Sequence, residues 1–178
     1  VSERPGLVPL QCPQCGTPVP AGAEEVAWVC STCGSGLLLE EDVGLKLNPV
    51  HFARGDGAPK PFWVAEGRVT IRRRETYGRS SGGDPRWAGP VRFVLPAFAC
   101  TVDEAVAWGV RWLARGPQLE EASRGPLEGV TRLPGELTPL AHFVVLTIEA
   151  DRKDQLEAFD FTVDLEAPQL WVLPIQDA

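Results

Sequence analysis

Two cysteine pairs constrain this chain more than any other feature. They lie in "LQCPQCGTPVPAGAEEVAWVCSTCGSGLLLE", Leu10 to Glu40, as Cys12 and Cys15, then Cys30 and Cys33. Each pair is spaced Cys-x-x-Cys, and 14 residues separate the two pairs. Such a turn aims two sulfurs at one point, and two turns supply a tetrahedral four-sulfur site. Gly16 and Gly34 follow the pairs, where the chain must bend tightly and let backbone amides face the sulfurs. A segment this short cannot bury a core of its own, so a bound metal would supply its folding energy. Disulfides or free thiols are the competing reading. Four of five cysteines at metal spacing suit a reducing cytoplasm better than a disulfide framework.

The sequences "CPQCG" and "CSTCG" resemble the knuckles of zinc ribbons, which are small β-hairpin modules. The resemblance covers about residues 10–36 and implies one structural Zn2+ on Cys12, Cys15, Cys30 and Cys33. Four protein ligands close the coordination sphere and leave no position for substrate or activated water. Rubredoxins use similar knuckles, so iron in the same site, and an electron carrier, is the alternative. Rubredoxins pack aromatic residues around the metal, and Trp28 alone stands inside this loop.

Charge limits what such a ribbon can bind. Between Pro5 and Leu45 there is no Lys or Arg, while Glu24, Glu25, Glu40, Glu41 and Asp42 are acidic. Four thiolates on a dication add further negative charge. Phosphate recognition needs cations, so nucleic acid is excluded as the expected partner. The chain as a whole carries a formal charge of −7, which argues the same way. The rest of the ribbon surface (Val8, Leu10, Val19, Val26, Trp28 and "GLLL") is apolar. It is expected to dock, on its own domain or on another protein.

With 178 residues and 44% hydrophobic content, there is room for one sizeable core and a small appendage. The opening "VSERPGLVPL" lacks the basic and then apolar profile of a secretory leader, and no stretch reaches membrane-span length. The expected location is therefore cytoplasmic, and a peripheral place on a membrane complex stays compatible with that.

Residues 8–42 read as the ribbon, 43–61 as a linker rich in Gly and Pro, and 62–176 as an α+β domain. In "FWVAEGRVTIRRRETY", Val69 and Ile71 alternate with polar neighbours, the period of a half-buried strand. "GRSSGGDPRWAGP" interrupts, and "VRFVLPAF" follows as the second strand of a long hairpin. In "TVDEAVAWGVRWLARGP", Thr101 and Glu104 form a capping box, while Gly116 and Pro117 stop the helix. Its apolar residues span an arc of about 200°, so Trp108 and Trp112 are expected to need a cover besides the sheet. Residues 116–140 read as a long loop. "AHFVVLTIEA", "LEAFDFTVDLE" and "QLWVLPI" read as a three-strand meander. The expected fold is thus an antiparallel sheet of about five strands with one principal helix.

Other motifs are weaker. "GRSSG", Gly78 to Gly82, matches the nucleophile-elbow pattern, with His142 downstream, but the setting is a hairpin tip instead of strand–turn–helix. Arg72 and Arg74 are expected on one strand face with Arg68, either as a solvated edge or as a contact for an acidic partner. Cys100 reads as packing and His51 as a surface residue.

Together these features imply a non-enzymatic accessory or assembly subunit with protein partners, touching them through Trp108, Trp112, Arg72 and Arg74. The chain resembles bacterial proteins in which a zinc ribbon precedes a small α+β domain.

Overall fold

The computed structural model describes residues 10–40, 43–77 and 82–176. The N-terminal part forms a three-stranded antiparallel sheet, β1 (Ala27–Val29), β2 (Gly36–Glu40) and β3 (Gly44–Leu47), in that order. β3 falls inside the stretch expected to be linker. The part expected to be a zinc-ribbon hairpin is instead a three-stranded sheet that runs on to Leu47, and it is called the ribbon below for position only.

A second, five-stranded sheet is built around one long strand, β5 (Ala58–Thr76). Its partners are β4 (Val50–Phe52), β6 (Val91–Pro96), β7 (Leu156–Leu165) and β8 (Gln169–Ile175). β6 pairs antiparallel with residues 62–67 of β5, the expected hairpin. β8 pairs with residues 58–64 and β7 with residues 67–76, both antiparallel. β7 and β8 thus follow one another along the same edge of β5. β4 adds in parallel to β8, so the sheet is mixed and not purely antiparallel. β4 and the first residues of β5 also come from the presumed linker.

Two helices cover this sheet, not one. The expected helix is α1 (Val102–Arg115). Its capping box is present: Thr101 Oγ1 accepts from the Glu104 N–H at 3.2 Å, and Glu104 Oε2 accepts from the Thr101 N–H at 2.8 Å. Gly116 ends it at φ 69°. The second, α2 (Leu137–Ala150), replaces the strand expected at "AHFVVLTIEA". The β-branched residues Val144, Val145, Thr147 and Ile148 favour a strand locally. The pattern starts earlier, however. Leu137, Leu140, Ala141, Val144, Val145 and Ile148 are all buried, at the spacing of one helix face. Pro139 sits in the first turn, where its missing N–H costs nothing. Burial of that whole face overrides the local preference.

α1 and α2 pack on one another, and α1 packs on β6. Gly109 sets their approach, since a Cβ there would lie 2.5 Å from Val144 Cγ2 and 2.8 Å from Leu95 Cδ2. Alternation along β5 divides the core. Trp63, Ala65 and Val69 join Phe93, Leu95, Leu170 and the helices in the main cluster. Phe62 and Val64, on the other face, meet Val94, Trp171 and Leu173. Trp108 and Trp112 belong to this second cluster, with ring centroids 5.6 and 5.8 Å from Phe62. The cover that α1 needed beyond the main core is therefore Phe62 and its neighbours.

Most of the long loop, 117–133, lacks regular structure, but it is a strap and not an excursion. Ala122 N–H donates to Phe52 O at 2.7 Å, Val26 N–H to Val130 O at 2.8 Å, and Thr131 N–H to Ala97 O at 2.8 Å. Val130 is fully buried. The strap joins ribbon and large sheet, and Ala27 and Leu38 of the ribbon enter the main core beside it. Val26, Ala27 and Leu38 of the expected apolar face are thus spent on the chain's own core, and Val8 lies outside the described residues. Among the described residues, no helix is long and apolar enough to cross a membrane.

Candidate metal centre

The four cysteines converge as their spacing requires. Their Sγ atoms all lie within 4.8 Å of one another, with Cys12–Cys33 and Cys15–Cys30 each at 3.6 Å. A tetrahedron with metal–sulfur bonds of about 2.3 Å has edges of about 3.8 Å, so the donor set fits one ion. Cys12 and Cys30 are buried, while Cys15 and Cys33 reach the surface. The site rests on a small cluster of Leu37, Val19 and Leu45.

The two knuckles are built alike. Cys12 N–H donates to Thr17 O, and Cys30 N–H to Ser35 O, both at 2.9 Å. Gly16 N–H donates to Cys12 O, and Gly34 N–H to Cys30 O, both at 2.8 Å. Gly16 and Gly34 sit at φ 74° and 72°, the left-handed conformation that an L-residue adopts only under strain. A hydroxyl follows each exposed cysteine. Thr17 Oγ1 lies 3.3 Å from Cys15 Sγ, and Ser35 Oγ lies 3.3 Å from Cys33 Sγ. Each can donate to a thiolate, which is the form that binds metal. These two residues were missed at the level of sequence, although "CGT" and "CGS" carry the signal at matching positions.

The sulfurs differ in electrostatics. Burial pushes the Cys12 thiol up to about 11. The Ser35 side chain and amide draw Cys33 down to about 6, and Thr17 lowers Cys15 in the same way. The exposed thiols are thus the readier thiolates, and a cation would be needed to ionise Cys12. The second knuckle has a further neighbour: the Arg124 guanidinium, from the strap, lies against Gly34. Between Pro5 and Leu45 the chain has no cation of its own, and Lys46 is paired with Glu40. Arg124 supplies one from elsewhere in the chain. Glu25 secures the base of the ribbon, accepting from Gly22 N–H and Trp28 Nε1–H at 3.0 Å and from Gly129 N–H at 3.3 Å.

The other candidate residues fall elsewhere. Trp108 and Trp112 are half-buried against Phe62, and the Trp112 indole N–H is buried without an acceptor among the described residues. Arg72 is exposed. Arg74 is not beside it. Ile71 pairs with Phe161 and Arg73 with Asp160, so Arg72 is the extra residue of a β-bulge. A bulge shifts the alternation by one. Arg74 therefore points inward with a side chain only 4% exposed, 2.8 Å from Glu149 Oε2 and 2.7 Å from Asp154 Oδ2. It is taken up inside the molecule and is no surface contact.

Its partner Glu149 is fully buried. Glu149 Oε1 accepts from Asp84 N–H at 2.6 Å and from Trp87 Nε1–H at 2.8 Å. Burial pushes the Glu149 carboxyl up, but these donors and Arg74 outweigh it and hold the group below the usual carboxylate range. Residues 84–88 are thereby pinned to the C-terminal end of α2. Ser80, and with it the Gly-x-Ser-x-Gly pattern, lies outside the described residues. His142 lies on α2 with Nδ1 2.8 Å from Thr138 O. His51 stacks on Trp171 at 4.7 Å and meets Glu121 at 2.7 Å, away from the cysteines' own ligand set. Burial raises the Cys100 thiol, and Arg132 lies 3.4 Å from it, which fits packing and not reactivity.

No protein-family model, no curated protein and no solved structure matches this chain. The candidate metal centre therefore rests on its own geometry: four convergent cysteines, able to hold an ion, on two equivalent knuckles in an α+β chain.

Proposed function

We propose that this protein is a non-enzymatic accessory or assembly subunit of a larger protein complex, with one Zn2+ in a structural role. The observation that carries this reading is the closed four-sulfur donor set. It leaves no coordination position for chemistry, and the ribbon it folds is fused to the main core through Ala27, Leu38 and the strap. Metal binding would shape a surface. Elsewhere, the surface best suited to a protein is the groove between α1 and α2, where Val102 and Phe143 are exposed. Arg72 remains an outward cation for an acidic partner. The acidic ribbon disfavours nucleic acid. Four cysteines at metal spacing accord with a cytoplasmic setting.

Gentle purification from the native host followed by native mass spectrometry tests this. A stoichiometric assembly containing the metal-loaded chain is expected. A lone 19.3 kDa species that keeps its metal and gains no companion at any stage of purification would overturn the subunit reading.

One observation favours a second reading. Cys15 and Cys33 are exposed, and sulfurs at the surface give an electron an exit. With iron in the site the chain would be a rubredoxin-like carrier. Iron in four thiolates absorbs visible light and zinc does not. A colourless protein containing zinc by elemental analysis would remove this alternative.

A further inference from the structure

A cleft of about 350 Å³ opens where three segments meet: the Arg54–Asp56 turn, the C-terminal half of α1 with Gly116–Gln118, and the end of β8. The volume lies within the usual range for small-ligand sites, about 300–1,000 Å³. Its charge is opposite to that of the chain. Among the described residues, Arg54, Arg111 and Arg115 line it against Asp56 alone, three positive and one negative, or +2, in a molecule of net charge −7. Arg54 has an exposed partner, Glu120, at 3.1 Å. Arg111 and Arg115 have no carboxylate within ion-pair distance among the described residues.

A cation in the last turn of a helix complements the helix dipole, which accounts for Arg115 alone. It does not account for the convergence of Arg54 and Arg111 from different elements. The Arg111 guanidinium lies over the Trp108 ring at 4.9 Å. Trp108 and Trp112 are roughly parallel, 25° apart with centroids at 6.3 Å, and Phe62 braces both from behind. Cation and flat apolar wall are both held in place before anything binds, which lowers the ordering cost of binding.

We propose that this cleft binds a small organic anion, a carboxylate or phosphate carried on a flat apolar group. Arg111 and Arg115 would take the anion through charge-assisted hydrogen bonds, and the indole side of the cleft would take the ring. The proposal is independent of the subunit reading, because it concerns the isolated chain.

The test is titration of the purified, metal-loaded chain with benzoate and phenyl phosphate, followed by amide and indole N–H chemical shifts. Benzamide is the neutral control. Saturable shifts confined to Trp108, Trp112, Arg111 and the Gly116 region are expected. Affinity should fall about tenfold or more for benzamide, and for the Arg111→Gln/Arg115→Gln variant. A dispersed spectrum of that variant confirms that it is folded. Equal binding of benzamide, unchanged affinity in the variant, or no saturation up to about 5 mM of either anion would each overturn the proposal.

Discussion

The two knuckles share a local structure and differ in what holds them. Each has the same amide-to-carbonyl bonds, the same left-handed glycine and the same hydroxyl beside its exposed sulfur. The second knuckle turns between β1 and β2, whose residues Ala27 and Leu38 enter the main core. Arg124 lies against its glycine. The first is closed by an isolated bridge between Gln11 and Pro18 and a bond from Val19 N–H to Leu10 O. Local geometry follows local sequence, whereas anchorage follows from what else the fold places nearby. A metal held by the four sulfurs would therefore do unequal work: it would complete the second knuckle and add to the Leu37, Val19 and Leu45 packing that holds the first.

The largest effect should come from removing the metal, which contributes on the order of 10 kcal/mol in small structural zinc sites. Chelation, or Cys12→Ser, is expected to abolish amide protection at Cys12, Gly16 and Val19 while β1, β2 and the large sheet retain theirs. Hydrogen exchange read residue by residue gives the answer. Equal loss across both knuckles would break the asymmetry argued above.

Next in size is damage placed away from the metal. Glu149→Ala leaves Arg74 and the Trp87 indole N–H without their shared acceptor. Breaking a buried pair in this way costs about 3 kcal/mol or more, or a fall in melting temperature of roughly 6–12 °C. Metal content and protection at both knuckles should be unchanged. Metal loss in this variant would show that ribbon and sheet domain are coupled more tightly than the strap implies.

A smaller effect separates the knuckles directly. Gly16→Ala forces an L-residue into the left-handed region, at about 1 kcal/mol, with nothing within 4 Å of the new Cβ. Gly34→Ala incurs the same strain and also meets the Arg124 guanidinium. That guanidinium is the exposed end of a flexible side chain, so Gly34→Ala should be only slightly the worse of the two by thermal melting. The excess should vanish in an Arg124→Ala background, a double-mutant cycle that isolates the contact.

The smallest concerns acid. The Arg86 guanidinium beside Asp84 holds its carboxyl at about 2. A depressed carboxylate pKa stabilises the fold fully above the unfolded value of about 3.9, and that contribution is lost as pH falls toward 2. Asp84→Asn keeps a capping oxygen and should flatten this limb of the sheet domain's urea stability. The change should be below about 1 kcal/mol after solvent screening.

What the sequence determined by itself was local. Cys-x-x-Cys spacing converges sulfurs whatever surrounds it, so the four-sulfur cluster was readable from residue types alone. The α1 capping box, the β5–β6 hairpin and the β7 alternation were readable for the same reason, since their signals sit within a few residues of the structures they produce. Only the tertiary structure decided the rest. α2 is β-branched enough to resemble a strand, and its helical period shows only when Leu137 and Leu140 are counted with the residues that follow. One extra residue at Arg72 moved Arg74 from surface to interior. The strap has no periodicity to read, because its order comes from carbonyls and amides offered by three other segments. Contacts between residues far apart in the chain decide burial, pairing and the cationic cleft, and no window of sequence contains both sides of such a contact.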